Sequence, residues 1–139
     1  YNIVDASPNA AVKNYLPTDY EIAQSYIAMN RADSAEFYMR RFLDSGTPNY
    51  SANMYVGDAL NSSENWERAI GYYRKVQEFS PGDAQSAIGI GNCFLSIGTA
   101  QTNAAYFDSA LVYFKMARGL YRNDPRLENT IIQLERRKQ

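Results

Sequence analysis

The feature that most limits what this chain can fold into is a pattern that returns at a fixed interval. Ile22–Tyr26 reads IAQSY, Val56–Leu60 reads VGDAL and Ile90–Phe94 reads IGNCF, with starts evenly spaced along the chain. In each, an apolar residue is followed at once by a small one and three positions later by a large one. A second series follows the first: SAEFYMRRFL from Ser34, RAIGYYRKVQ from Arg68 and SALVYFKMAR from Ser109. The step from Ser34 to Arg68 equals the step of the first series, and the step from Arg68 to Ser109 is longer. A unit of this size cannot bury its apolar face alone, so neighbours must stack on one another.

Each segment reads as a helix. Ile22, Tyr26 and Met29 recur at three- and four-residue steps, as do Ala69, Tyr72, Tyr73 and Val76. Thr18-Asp19-Tyr20-Glu21 matches a capping box, in which threonine and glutamate each satisfy an orphan backbone donor. Pro81-Gly82-Asp83 separates two helices, with Asp83 as N-cap. Nothing reads as a strand of useful length. The pattern is helix, turn, helix, repeated.

These residues resemble the tetratricopeptide repeat family, whose unit is about 34 residues long, the same interval as the series above. The resemblance implies an all-α, right-handed superhelical solenoid of antiparallel helix pairs. It places repeats at 16–49, 50–83 and 84–124, the last with a seven-residue insertion near Thr99–Tyr106, where Asn103 caps the following helix. The family's small residues match Ala23, Gly57 and Gly91 in first helices, and Ala35, Ala69 and Ala110 in second helices. The large partners match Tyr26, Leu60 and Phe94, then Met39, Tyr73 and Phe114. Trp66 opens a second helix, and Pro81 ends a repeat. Residues 125–139 read as a C-terminal capping helix with Leu127, Ile131 and Leu134 on one face. Residues 1–15 read as a short N-terminal helix or cap, opened by Ser7-Pro8.

The stretch AIGIGNCFLSIG, Ala87–Gly98, superficially suggests a phosphate-cradling turn. A dinucleotide fingerprint needs a preceding strand and a third glycine where Phe94 stands. Gly91 instead continues the series Ala23, Gly57, Gly91, small so that helices can approach. Gly98 is expected to end its helix as a left-handed cap. Gly89 has no place in the repeat logic. It weakens its helix by roughly 1 kcal/mol relative to alanine; a close backbone approach, such as by a ligand peptide, is one explanation, and tolerated drift is the preferred one.

Composition narrows function. The 14 basic and 15 acidic side chains nearly cancel, which argues against nucleic-acid binding. The absence of histidine removes the commonest general base and metal ligand. Cys93 is the only cysteine, so neither an internal disulfide nor a thiolate metal site can form. No catalytic residues, no metal and no cofactor are expected, and no apolar run is long enough for direct membrane insertion. The chain begins at Tyr1 and not at methionine, so a fragment or processed product is expected.

By the same resemblance, first helices line a concave groove that holds a partner protein or peptide. The groove residues would be Tyr20, Gln24, Ile27, Met54, Asp58, Asn61, Gln85, Ile88 and Asn92. Members that clamp a C-terminal carboxylate use cations there. The matching positions hold Tyr20, Gln24, Tyr55, Gln85 and Gly89, so that function is not expected. Arg40-Arg41, Arg74-Lys75 and Lys115 recur on second helices, and we read them as a solvated face diluted by Glu36, Glu67 and Glu78. The expected function is an interaction scaffold or adaptor and not an enzyme. Self-association into a structural scaffold, or service as an accessory domain of a larger assembly, is the alternative.

Overall fold

The computed structural model describes residues 17–46, 48–120 and 124–137. The expected N-terminal helix lies outside them. The described residues form seven helices and no strands: α1 (Asp19–Ala28), α2 (Ala32–Asp44), α3 (Tyr50–Ser62), α4 (Trp66–Phe79), α5 (Ala84–Gln101), α6 (Ala104–Leu120) and α7 (Pro125–Arg137). Contacts are densest within α1–α2, α3–α4 and α5–α6, and these pairs then stack in order, with α7 against α6. The chain is an α-solenoid of antiparallel helix pairs.

Local signals explain where the helices begin. The Thr18 side chain accepts from the Glu21 amide at 3.1 Å, and the Thr18 amide donates to Glu21 Oε1 at 2.8 Å, completing the capping box. Asp83 accepts from the Ser86 amide at 2.7 Å, and Asn49 from the Ala52 amide at 2.9 Å. Asn103 accepts from the Ala105 amide at 3.0 Å at the start of α6.

The core has two parts. One runs from α1 through α5 around Met39, Leu60, Tyr73 and Ile90. The other joins α5, α6 and α7 around Leu111, Phe114, Leu127, Ile131 and Leu134. All six small residues of the repeat pattern are buried. The apolar stripe of α7 covers the last pair and leaves Glu135 and Arg136 on the outside.

Two expectations, those for Gly98 and Gly89, meet a different outcome. Gly98 does not end its helix: it is buried inside α5, where a Cβ would stand 3.0 Å from Tyr106 Cβ. The left-handed cap is Thr102, with φ 52°. The inserted residues extend both helices of the pair, with Asn103 as the cap that the sequence indicates. They lengthen α5 and α6 to 18 and 17 residues, against 13 and 14 in the preceding pair, and leave only Thr102-Asn103 between them. The physical reason is apolar: Ile97, Gly98, Tyr106 and Phe107 extend the interface, so helix continues where packing is available. Gly89 is not drift. Its reason appears in the site below.

Candidate functional site

The first helices of the three pairs lie side by side, since α3 touches both α1 and α5. Tyr20 of α1 and Tyr55 of α3 bridge the first contact, with ring centroids 6.2 Å apart. Of the polar residues expected in the groove, Gln24, Asp58, Gln85 and Asn92 are exposed and Asn61 is half-buried. Tyr20, Ile27 and Met54 are partly buried against the larger core, and Ile88 against the smaller one. Ile27 and Asp58 share a cleft of about 450 Å³ with Arg31 and Tyr55.

Asp58 is fixed from beneath. Tyr73 belongs to α4 and is 1% exposed, yet its Oη donates to Asp58 Oδ1 at 2.5 Å. The ring reaches Asp58 because α3 and α5 both carry glycine where it passes. A Cβ on Gly57 would lie 2.9 Å from the ring, and one on Gly89 2.8 Å. No rigid neighbour could share that space, so glycine is required on both sides. The repeat equivalent of Gly57 is Gly91 and not Gly89, which is why the repeat register hides the pairing. A pair of glycines flanking one large repeat residue is the signal that would have revealed it. Gly91 repeats the device one pair later, against Phe114 at 2.7 Å.

Electrostatics follow from this burial. Burial, then the hydrogen bond to Asp58 and its charge, push the Tyr73 phenol far above its ordinary range, opposed by the Asn61 amide. Burial and the nearby carboxylates of Asp58 and Glu67 push the Cys93 thiol up to about 12. Burial and Glu36 likewise raise Tyr72, whose Oη donates to Glu36 Oε2 at 3.0 Å. A thiol held this way is a poor nucleophile. Cys93 should therefore resist Ellman's reagent at about pH 8 and react only as fast as the protein unfolds. Rapid stoichiometric labelling of the folded protein would contradict its burial.

The same shifts set the response to alkali. The unfolded chain ionises cysteine near its ordinary 9.0 and tyrosine near 10.0, while the folded protein keeps these groups neutral. Their contribution is thus full below about pH 9 and is lost as pH rises from the unfolded-chain values towards the raised folded ones, about 12 for Cys93. Each group adds a slope of at most about 1.4 kcal/mol per pH unit. Urea titrations across this range should show the decline, and Tyr73→Phe should flatten it. A wild-type profile with no alkaline decline would refute the assignment.

Among the described residues no helix is long and apolar enough to cross a membrane. The arrangement offers hydrogen-bond donors, acceptors and one immobilised carboxylate, which is the chemistry of recognition.

Comparison with known proteins follows the same line. Residues 20–84 match the family model for the tetratricopeptide repeat. No curated protein matches by sequence. Among solved structures, the Yersinia enterocolitica type III secretion chaperone SycD, in complex with a peptide of the translocator YopD, superposes with a TM-score of 0.72. It is 14% identical, over 87% of this chain and 92% of that one. PcrH, in complex with the chaperone-binding region of PopD, gives 0.63 at 16% identity, over 86% and 84%. MamA MSR-1 gives 0.69 at 18% identity, over 86% of this chain and 65% of that one. At these identities the likeness is one of fold. The tetratricopeptide repeat match is thus to residues 20–84, the first two helix pairs, and beyond them the likeness is one of fold.

Proposed function

We propose that this protein is a non-catalytic interaction module that holds an extended segment of a partner protein against the face formed by α1, α3 and α5. The observation that carries the reading is the Asp58 carboxylate, exposed on that face and held by a buried tyrosine. Gln24 on α1 and Gln85 and Asn92 on α5 are exposed, and in this reading their amides offer both a donor and an acceptor to the partner's backbone. Two proteins of similar fold are complexes, one with a peptide of the translocator YopD and one with the chaperone-binding region of PopD, which supports a peptide ligand in general and no particular partner. In this reading the functional unit is three repeats, 16–49, 50–83 and 84–124, closed by the helix from 125.

Peptides selected from a random library on the wild-type protein test it. Asp58→Asn keeps an acceptor for Tyr73 while removing the charge. Combined with Asn92→Ala it should weaken those peptides by about tenfold or more. Unchanged affinity would overturn the reading. Self-association has one observation in its favour: Val112, Met116 and Leu120 stand exposed at four-residue spacing along α6. A sedimentation-velocity mass that stays monomeric at high concentration would remove it.

A further inference from the structure

Charge is sorted between the two layers of the solenoid. The first helices α1, α3 and α5 contain no lysine or arginine. Every described basic side chain stands on α2, α4, α6 or α7, except Arg31 in the turn after α1. The first helices and their caps carry acids instead. Three of these are engaged near a helix N-terminus, where the helix dipole favours a carboxylate. Asp19 pairs with Arg41 at 3.2 Å, Glu21 Oε1 accepts from the Thr18 amide at 2.8 Å, and Asp83 accepts from the Ser86 amide at 2.7 Å.

Asp58 is the exception. It stands about one turn from the C-terminal end of α3, where the dipole opposes a negative charge. It makes no ion pair with a described residue. Its Oδ1 accepts from the neutral hydroxyl of Tyr73, and no described residue donates to Oδ2. The tyrosine thus fixes the direction of the carboxylate without neutralising it. The cleft beside it is lined by Ile27, Ala59, Ser62 and Tyr55, which is 45% exposed. Such walls suit the apolar stem of a lysine or arginine, and a tyrosine ring attracts its cation. Arg31 is the cleft's own cation. It lies 5.9 Å over the Tyr26 ring and also lines the adjoining cleft with Asp33 and Asn65, so it stands at the rim and leaves the Asp58 charge unmet.

We infer, resting on the groove reading above, that the segment held against α1, α3 and α5 presents a lysine or arginine to Asp58. Its cation meets Oδ2, and its stem lies along Ile27 and Tyr55. The sign of the pairing suits the whole face, since no basic side chain of α1, α3 or α5 competes for the carboxylate. A carboxylate already held in place loses little freedom when the cation arrives, so the contact selects for charge as well as adding affinity.

The test uses peptides selected from a random library on the wild-type chain, which should share a lysine or arginine at one position. Replacing that lysine by norleucine, or that arginine by citrulline, keeps the stem and removes the charge. On the wild type the replacement should weaken binding about tenfold or more by isothermal titration calorimetry. On Asp58→Asn, which keeps an acceptor for Tyr73, the same replacement should change little. Added salt should weaken the parent peptide far more than its neutral counterpart. Arg31→Gln should hold or raise the affinity. Nuclear magnetic resonance tells the two failures apart. Peptides that shift Gln24 and Asn92 but share no cation, or a replacement that costs the same on wild type and Asp58→Asn, would overturn this inference and leave the groove reading standing. A clear loss on Arg31→Gln would do the same, because the segment would then meet the cleft through an acid. No selected peptide, or shifts that avoid α1, α3 and α5, would overturn both.

Discussion

Tyr73→Ala is expected to lower the unfolding free energy by about 3–5 kcal/mol, the usual loss for deleting a buried aromatic side chain. The ring is 1% exposed and is enclosed by α3 and α5 on the sides where Gly57 and Gly89 stand. Those helices cannot close the void, because each is also packed against its own partner, α3 on α4 and α5 on α6. Whole domains are stable by only about 5–15 kcal/mol, so this single change takes a large share. Tyr73→Phe separates the ring from its hydroxyl. It keeps the packing and gives up the hydrogen bond to Asp58, a loss of about 1 kcal/mol. Urea denaturation followed by circular dichroism measures both. A loss for Tyr73→Ala no larger than that for Tyr73→Phe would show that the ring is not what joins the three helices.

Gly89→Ala should destabilise the protein by about 1–3 kcal/mol, the cost of overpacking a filled core. The direction is the informative part. In an ordinary helix interior, replacing glycine by alanine gains about 1 kcal/mol. Here the new methyl would stand 2.8 Å from the Tyr73 ring, and the ring has nowhere to go because Gly57 is equally close on its other side. Gly57→Ala should behave alike, while Gly71→Ala, in open space, should stabilise. A double-mutant cycle of Gly89→Ala with Tyr73→Leu tests the mechanism directly. If the ring is the obstacle, the two changes together should cost less than their sum. Additive losses would place the strain elsewhere.

Much of this was legible before any coordinates. The spacing Ala23, Gly57, Gly91 named the small residues that let helices approach, and all are buried. The capping box at Thr18 and the cap at Asp83 marked helix starts, because a side-chain acceptor beside orphan amides is a local matter. The stripe Leu127, Ile131, Leu134 forecast which face α7 buries. The polar groove residues were legible only as positions on a helix face.

What sequence could not decide were the contacts made between repeats. Gly98 had the look of a helix end, since glycine after an apolar run usually is one. Whether a helix stops depends on what it meets next, and here Tyr106 and Phe107 gave α5 and α6 more surface to bury. Gly89 was out of register with its own repeat, so no local rule gave it a role. Its partner is a side chain from the preceding pair, and only stacking brings Tyr73 between it and Gly57. The cleft beside Asp58 is of the same kind: Ile27 and Tyr55 lie on helices of two pairs. The sequence by itself determined the repeat, the helices and the face each helix buries, because those follow from periodicity along one element. The tertiary structure alone decided which side chains cross from one pair to the next, because that depends on distances between elements that periodicity does not encode.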